Sequence, residues 1–175
     1  SMILASVKEN NVRKRTIISS YNYKKFNRIV LLTNGILILV MWIFYMVLSG
    51  ILFKDLLIST NGLAYILNAL MFSICSLTIG FFIGNITQNK NAIGGIVNVA
   101  LGSSFLCGCF VPVEYMPDYV IKIAHVLPTY YFVANNELIK GMERFNFTAI
   151  KPLLINGAVV LGFSILFTVA TNIVS

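Results

Sequence analysis

The nineteen Lys, Arg, Asp and Glu residues of this chain are placed so that four stretches contain none of them: 29–53, 56–89, 91–113 and 152–175. These stretches run 25, 34, 23 and 24 residues. A helix rising about 1.5 Å per residue needs about 20 apolar residues to cross a hydrocarbon core of roughly 30 Å, so each stretch is long enough to span a membrane. The second is longer than one span requires. Its "STNG", Ser59 to Gly62, has turn-forming composition and predicts the outer turn. The expected fold is therefore an all-α membrane protein with four transmembrane helices at about 29–53, 63–86, 91–113 and 152–174. Composition agrees, with 58% hydrophobic and 11% charged residues against about 25% charged in soluble domains.

Charge placement sets an expected orientation, because Lys and Arg in short flanking loops stay on the cytoplasmic side. Residues 1–28 hold seven of the thirteen cations: Lys8, Arg13, Lys14, Arg15, Lys24, Lys25 and Arg28. With that segment cytoplasmic, Lys90 also lies inside and the C-terminus is cytoplasmic. Eight cations are then inside and five outside, the latter offset by Asp55, Glu114, Asp118, Glu137 and Glu143. The chain divides into a basic cytoplasmic segment, 1–28, and a four-helix transmembrane domain, 29–175. Val12, Ile17 and Tyr21 or Phe26 allow the basic segment a short amphipathic helix. Next to a membrane span, such a segment favours anionic lipid or a cytoplasmic partner, not nucleic acid. No cleavable signal peptide is visible, and "SMILAS" reads as the tail of an earlier span.

The predicted spans contain no acid, lysine, arginine or histidine, which disfavours a proton-coupled carrier or an intramembrane hydrolase. Nor is there a phosphate-binding loop, an H-E-x-x-H or a G-x-S-x-G, so the chain is not expected to be an enzyme. Small and uncharged polar residues take their place. Ser76, Gly80 and Gly84, and likewise Gly94, Asn98 and Gly102, recur every four residues and predict faces for close helix packing. Asn68, Asn98, Ser103 and Ser104 are candidates for lining a substrate path. Cys75, Cys107 and Cys109 fit small buried positions better than a disulfide or a metal site.

Between the third and fourth spans lies a segment, 114–151, that reads as an external fold-back. Pro112 is expected to bend or end the third helix. Pro117 and Asp118 suit the first turn of a new helix. Val120, Ile123, Ala124 and Leu127 then recur at helical spacing opposite Asp118, Lys122 and His125, predicting a short interfacial helix stopped by Pro128. Thr129 is placed to cap a second helix running to Gly141, with Tyr130 and Tyr131 at headgroup level. This pair is expected to be interfacial or re-entrant. Irregular backbone at membrane depth must be covered by protein, so it is expected to pack on the spans or on a second copy.

The run "LGSSFLCGCFVPVEYMPDYVIKIAHVLPTYYFVANNEL" resembles the C-terminal half of ABC-2 type permeases, the membrane subunits of ATP-binding-cassette exporters. Cys109, Phe110, Pro112, Met116, Pro117, Pro128, Tyr130 and Tyr131 follow the family's order. Gly108 lies one residue earlier than the usual glycine. In "VKENNVRKRTIISSYNYKKFNRIVLL", Glu9, Arg15, Thr16 and Ser19 resemble the family's cytoplasmic loop before its third span. The resemblance implies that Glu9, Arg13, Lys14, Arg15, Thr16 and Ser19 belong to a coupling helix docking on an ATP-binding-cassette ATPase subunit. It implies an outer gate built around Phe110, Pro112, Met116, Pro117, Pro128, Tyr130 and Tyr131. It further implies pairing with a second permease copy or homologue in a plasma membrane, bacterial by expectation. No cofactor is expected in this chain, since ATP and Mg would sit on the partner subunit. The alternative reading is a non-transporting membrane scaffold that binds a cytoplasmic partner.

Overall fold

The computed structural model describes residues 23–54, 59–87, 90–142 and 147–174. Every regular element among them is helical: α1 (Tyr23–Leu52), α2 (Thr60–Ile86), α3 (Lys90–Leu106), a single 3-10 turn (Val113–Tyr115), α4 (Asp118–Ala124), α5 (Pro128–Lys140) and α6 (Phe147–Val174). That uniformity follows from the solvent. In hydrocarbon a backbone must satisfy its own N–H and C=O groups, and a helix does so within one segment.

α2, α5 and α6 pack against one another and form the centre, and α1 lies on α2. Ala64 and Cys75 of α2, Ile139 of α5 and Val160 of α6 are buried there. Close approach of α2 and α6 relies on Gly157, where an added Cβ would stand 3.3 Å from the Met71 sulfur. Elsewhere the long helices present aliphatic side chains outward, among them Leu32, Ile51 and Ile173. In water that surface would be an aggregation liability. In a bilayer it is the lipid-facing exterior.

Three helices are long and apolar enough to cross a membrane, with spanning segments Arg28–Leu52, Asn61–Ile86 and Ile150–Ile173. The structure differs here from the four expected spans. In place of a 91–113 span it has α3, 17 residues long, whose apolar part is Gly94–Leu106. The helix ends at Leu106, short of Pro112, because Gly108 takes φ +91°, a left-handed conformation that interrupts the helical backbone. α3 makes its main packing contact with α4.

Smaller boundaries shift as well. α1 starts at Tyr23, within the segment assigned to the cytoplasmic side. Ser59 is the N-cap of α2, so Asn61 and Gly62 belong to the helix and not to a turn. Pro128 begins α5 at its first position, after Leu127 as N-cap. A proline there loses no helical hydrogen bond, since its N–H would have been unpaired anyway. Thr129 is accordingly inside the helix and does not cap it. Pro152 lies within α6, where the helix continues through it. On the glycine faces of the sequence reading, an added Cβ at Gly80, Gly94 or Gly102 has no atom of the described residues within 4 Å, whereas Gly84 is buried. The expected N-terminal amphipathic helix falls outside the described residues.

Candidate functional site

Seven hydrogen bonds fasten the fold-back helix α5 and the residue just past its end, Met142, to the spanning helices. They arise because α2 carries Asn61, Tyr65 and Asn68 at positions i, i+4 and i+7, one face of a helix. Asn61 donates from Nδ2 to the carbonyl oxygens of Ile139 at 3.1 Å and Met142 at 2.9 Å. Its acceptors lie at the C-terminal end of α5, where carbonyls have no partner within the helix: Ile139, which also accepts from the Met142 N–H, and Met142 itself, just past the helix. Tyr65 donates to the Asn136 carbonyl at 3.3 Å. Asn68 donates to the Phe132 carbonyl at 3.0 Å and to the Asn136 Oδ1 at 2.9 Å. Asn135 donates back to the Asn68 Oδ1 at 3.1 Å and reaches the Leu153 carbonyl of α6 at 3.4 Å.

Asn68 and Asn135 are 5% and 2% exposed, so this clasp is sealed from solvent. The Asn135 Oδ1 has no partner among the described residues. Its Nδ2 already serves two carbonyl oxygens, so exchanging the amide's N and O would break both bonds. Phe132 adds an aromatic contact, stacked on Phe72 of α2 with ring centroids 4.5 Å apart. α5 is thus part of the bundle, wedged between two spanning helices.

A second constellation orders the approach to α5. Cys107 is fully buried and Gly108 reverses the chain. A Cβ at Gly108 would stand 2.8 Å from the Val113 Cγ2 and 3.4 Å from the Val133 Cγ1, so only glycine fits. Phe110 folds back on Phe105 with centroids 4.1 Å apart. Pro112 caps the 3-10 turn and Pro117 caps α4. At the α4–α5 junction the Tyr131 hydroxyl donates to the His125 carbonyl at 3.0 Å, and the His125 ring lies 4.2 Å from that of Tyr130. His125 itself is exposed, its Nδ1 2.7 Å from the Ile121 carbonyl.

The residues assigned to an outer gate lie between the end of α3 and the start of α5, and the start of α5 packs beside Phe72, well within α2. Phe110, Pro112 and Pro117 are exposed, Met116, Tyr130 and Tyr131 half-buried, and Pro128 buried. The four path candidates are not gathered. Asn68 sits in the clasp with its carboxamide engaged. Asn98 is exposed on α3, and the hydroxyls of Ser103 and Ser104 bond to the Ala100 carbonyl of their own helix. Cys75 and Cys107 are buried as expected, whereas Cys109 is exposed. Glu9, Arg13, Lys14, Arg15, Thr16 and Ser19 lie outside the described residues. Asn61, Asn135 and Asn136 were missed from sequence. The signal available was three hydrogen-bonding side chains on one face of an apolar helix, matched by the "NN" pair of the fold-back.

Among the described residues no cluster of His, Cys, Asp or Glu could hold a metal ion. Neither a curated protein nor a solved structure matches the chain. The family model of the ABC-2 type transporter matches residues 4–135, which runs from the basic N-terminal segment through the pivot at Gly108 to the clasp residue Asn135. The chain belongs to the ABC-2 type transporter family and is a permease-type membrane subunit, a transport component and not an enzyme.

Proposed function

We propose that this chain is the membrane subunit of an ATP-driven exporter, moving its substrate by alternating access with energy from a separate or fused ATP-binding-cassette ATPase. The observation that carries this reading is the clasp. A fold-back helix hydrogen-bonded to two spanning helices must move with them, so a rearrangement of α2 against α6 is transmitted to one face of the membrane. Coupling requires that each state make different contacts with its partner, and the α4–α5 end supplies a rigid element to be opened or closed. Phe110, Pro112, Met116, Pro117, Pro128, Tyr130 and Tyr131 act as its outer gate. α3, extended by its flanking residues, serves as a fourth crossing, and α4 and α5 form the interfacial or re-entrant pair. Asn98, Ser103 and Ser104 on α3 line the path, in which Asn68 takes part through the clasp.

In this reading residues 1–28 and the C-terminus are cytoplasmic, and Glu9, Arg13, Lys14, Arg15, Thr16 and Ser19 contact the ATPase. The protein works as a pair of permease copies or homologues in a plasma membrane, bacterial by the family resemblance. The test is reversal of charge at Glu9, or across Arg13 to Arg15, in cells producing the permease with its ATPase. Transport is expected to be lost while membrane insertion is retained. Normal transport in both variants would remove the coupling role.

A further inference from the structure

The hydrogen-bond register between α2 and α5 fixes how deep the fold-back lies. Asn61, at the start of α2, bonds to Ile139 near the end of α5. Asn68 bonds to Phe132, and Phe72 stacks on the same residue. α5 therefore runs antiparallel to α2 and starts inside the bundle. From Ile139 back to Tyr130 is about 13 Å along the helix. The end of α3 lies close to that depth, since a Cβ at Gly108 would stand 3.4 Å from the Val133 Cγ1. A helix of 17 residues suits a chain that turns back before it has crossed.

The spanning segment Asn61–Ile86 has 26 residues. That is about 39 Å of helix against a hydrocarbon core of about 30 Å, so about 4 Å projects at each end. Tyr130 then lies about 9 Å inside the core, below the headgroup level expected for it and Tyr131 from the sequence.

His125 is held at this depth. The Tyr131 hydroxyl bonds to its carbonyl, and its ring lies against that of Tyr130. Its Nδ1, 2.7 Å from the Ile121 carbonyl, pins the ring to the last turn of α4. Its Nε2 has no partner among the described residues, and the side chain is too short to reach the headgroups. Lys122, one turn earlier, and Glu114, next to the Val113 that meets Gly108, are exposed like His125. No ion pair joins either of them to a described residue.

Hydrocarbon solvates none of these groups. Neither would the spans of a second copy, which contain no acid, lysine, arginine or histidine to pair with them. The irregular backbone between α3 and α4 makes the same demand, since at this depth it requires protein or water around it.

We propose that α4 and the start of α5 form the floor of a water-filled recess, open on the side of the membrane where α2 begins. It reaches about 9 Å into the hydrocarbon region, with Glu114, Lys122 and His125 on its wall. A hydrophilic solute reaches His125 from that side without entering lipid. The recess requires α2 to span the membrane and does not depend on the exporter reading.

The experiment uses the full chain in phosphatidylcholine vesicles, with Cys75, Cys107 and Cys109 replaced and a single nitroxide attached at His125→Cys, Leu67→Cys or Ile74→Cys. Leu67 and Ile74 are exposed on α2, one above and one below the level of His125. Relaxation by a water-soluble nickel chelate is expected to be severalfold greater at position 125 than at 67 or 74, and relaxation by oxygen smaller. Depth is measured separately, from relaxation by gadolinium held on lipid headgroups, and position 125 is expected to fall between 67 and 74. Glu114→Cys repeats the test at a second point on the wall, and a melting temperature near that of the parent shows that each variant is folded. Nickel access at 125 and 114 no greater than at 67 would overturn the recess, whether lipid or a second copy covers the site. Access combined with a depth at the headgroups would overturn it equally. Access and depth as expected in a chain that drives no transport with its ATPase would count against the exporter reading alone.

Discussion

Gly108 and Asn68 show how single residues here act through geometry. At φ +91° a side chain is strained before any contact is made, at a cost of about 1–3 kcal/mol. The 2.8 Å approach to Val113 adds to it. Gly108→Ala is therefore expected to lower the melting temperature in detergent, and Gly108→Ala with Val113→Ala to recover only the contact part. A double-mutant cycle would measure the difference. Asn68 is a different case: removing it leaves the Asn135 amide and the Phe132 carbonyl each one partner short. A buried polar group left unpaired costs about 1–3 kcal/mol, although single interhelical bonds within membranes average nearer 0.6 kcal/mol. Asn68→Ala is expected to be destabilising by about 1–3 kcal/mol, more than Ser103→Ala or Ser104→Ala, whose hydroxyls bond only within α3. Equal effects in unfolding measurements would deny the clasp its role. Asn68 was visible in the sequence as a polar residue in a span, but its partners Asn135 and Asn136 were not. A carboxamide in a short segment of mixed polarity looks the same whether it faces solvent or a carbonyl sixty residues away in sequence.

The elements divide by how local their determinants are. α1, α2 and α6 were legible because long apolar runs in lipid have one solution, and α5 because Pro128 and Gly141 bracket it. The end of α3 was misplaced for a local reason too. Pro112 is the stronger breaker in a list of propensities, yet the left-handed turn at Gly108 acts first, stabilised by Val113 and Val133 coming back to meet it. α4 illustrates the opposite limit: of the apolar face expected for it, Ala124 is buried while Ile123 is exposed. Seven residues are too few to bury a stripe without help from a neighbour. α3 packs chiefly on α4 and exposes Val99, Leu101 and Phe105. If it carries the surface for a second copy, Val99→Cys with Cys75, Cys107 and Cys109 replaced is expected to form a cross-linked dimer under oxidation. Ile155→Cys, exposed on α6, is the comparison. Cross-linking at Ile155 alone would move the interface to α6.

At the scale of the whole molecule, the proposed orientation rests on cations in the first 28 residues, and no contact within the bundle bears on it. Thiol labelling of single cysteines introduced at Asn10 and Asp118 is expected to occur from opposite sides of the membrane. Labelling from the same side would reverse or discard the topology. What the amino-acid sequence determined alone is the solvent and the class of fold. Removing charge over more than twenty consecutive residues favours helix, the backbone that satisfies itself within a single segment in hydrocarbon. The order of prolines, aromatics and basic residues carried the resemblance to the permease family. What only the tertiary structure decided is which helices meet. Apolar faces in lipid have no hydrophobic reason to prefer one neighbour over another. The choice therefore falls to a few directional bonds and close approaches, Asn61, Asn68 and Asn135 reaching across and Gly157 letting Met71 in, and none of these can be assigned a partner until the chain has folded back.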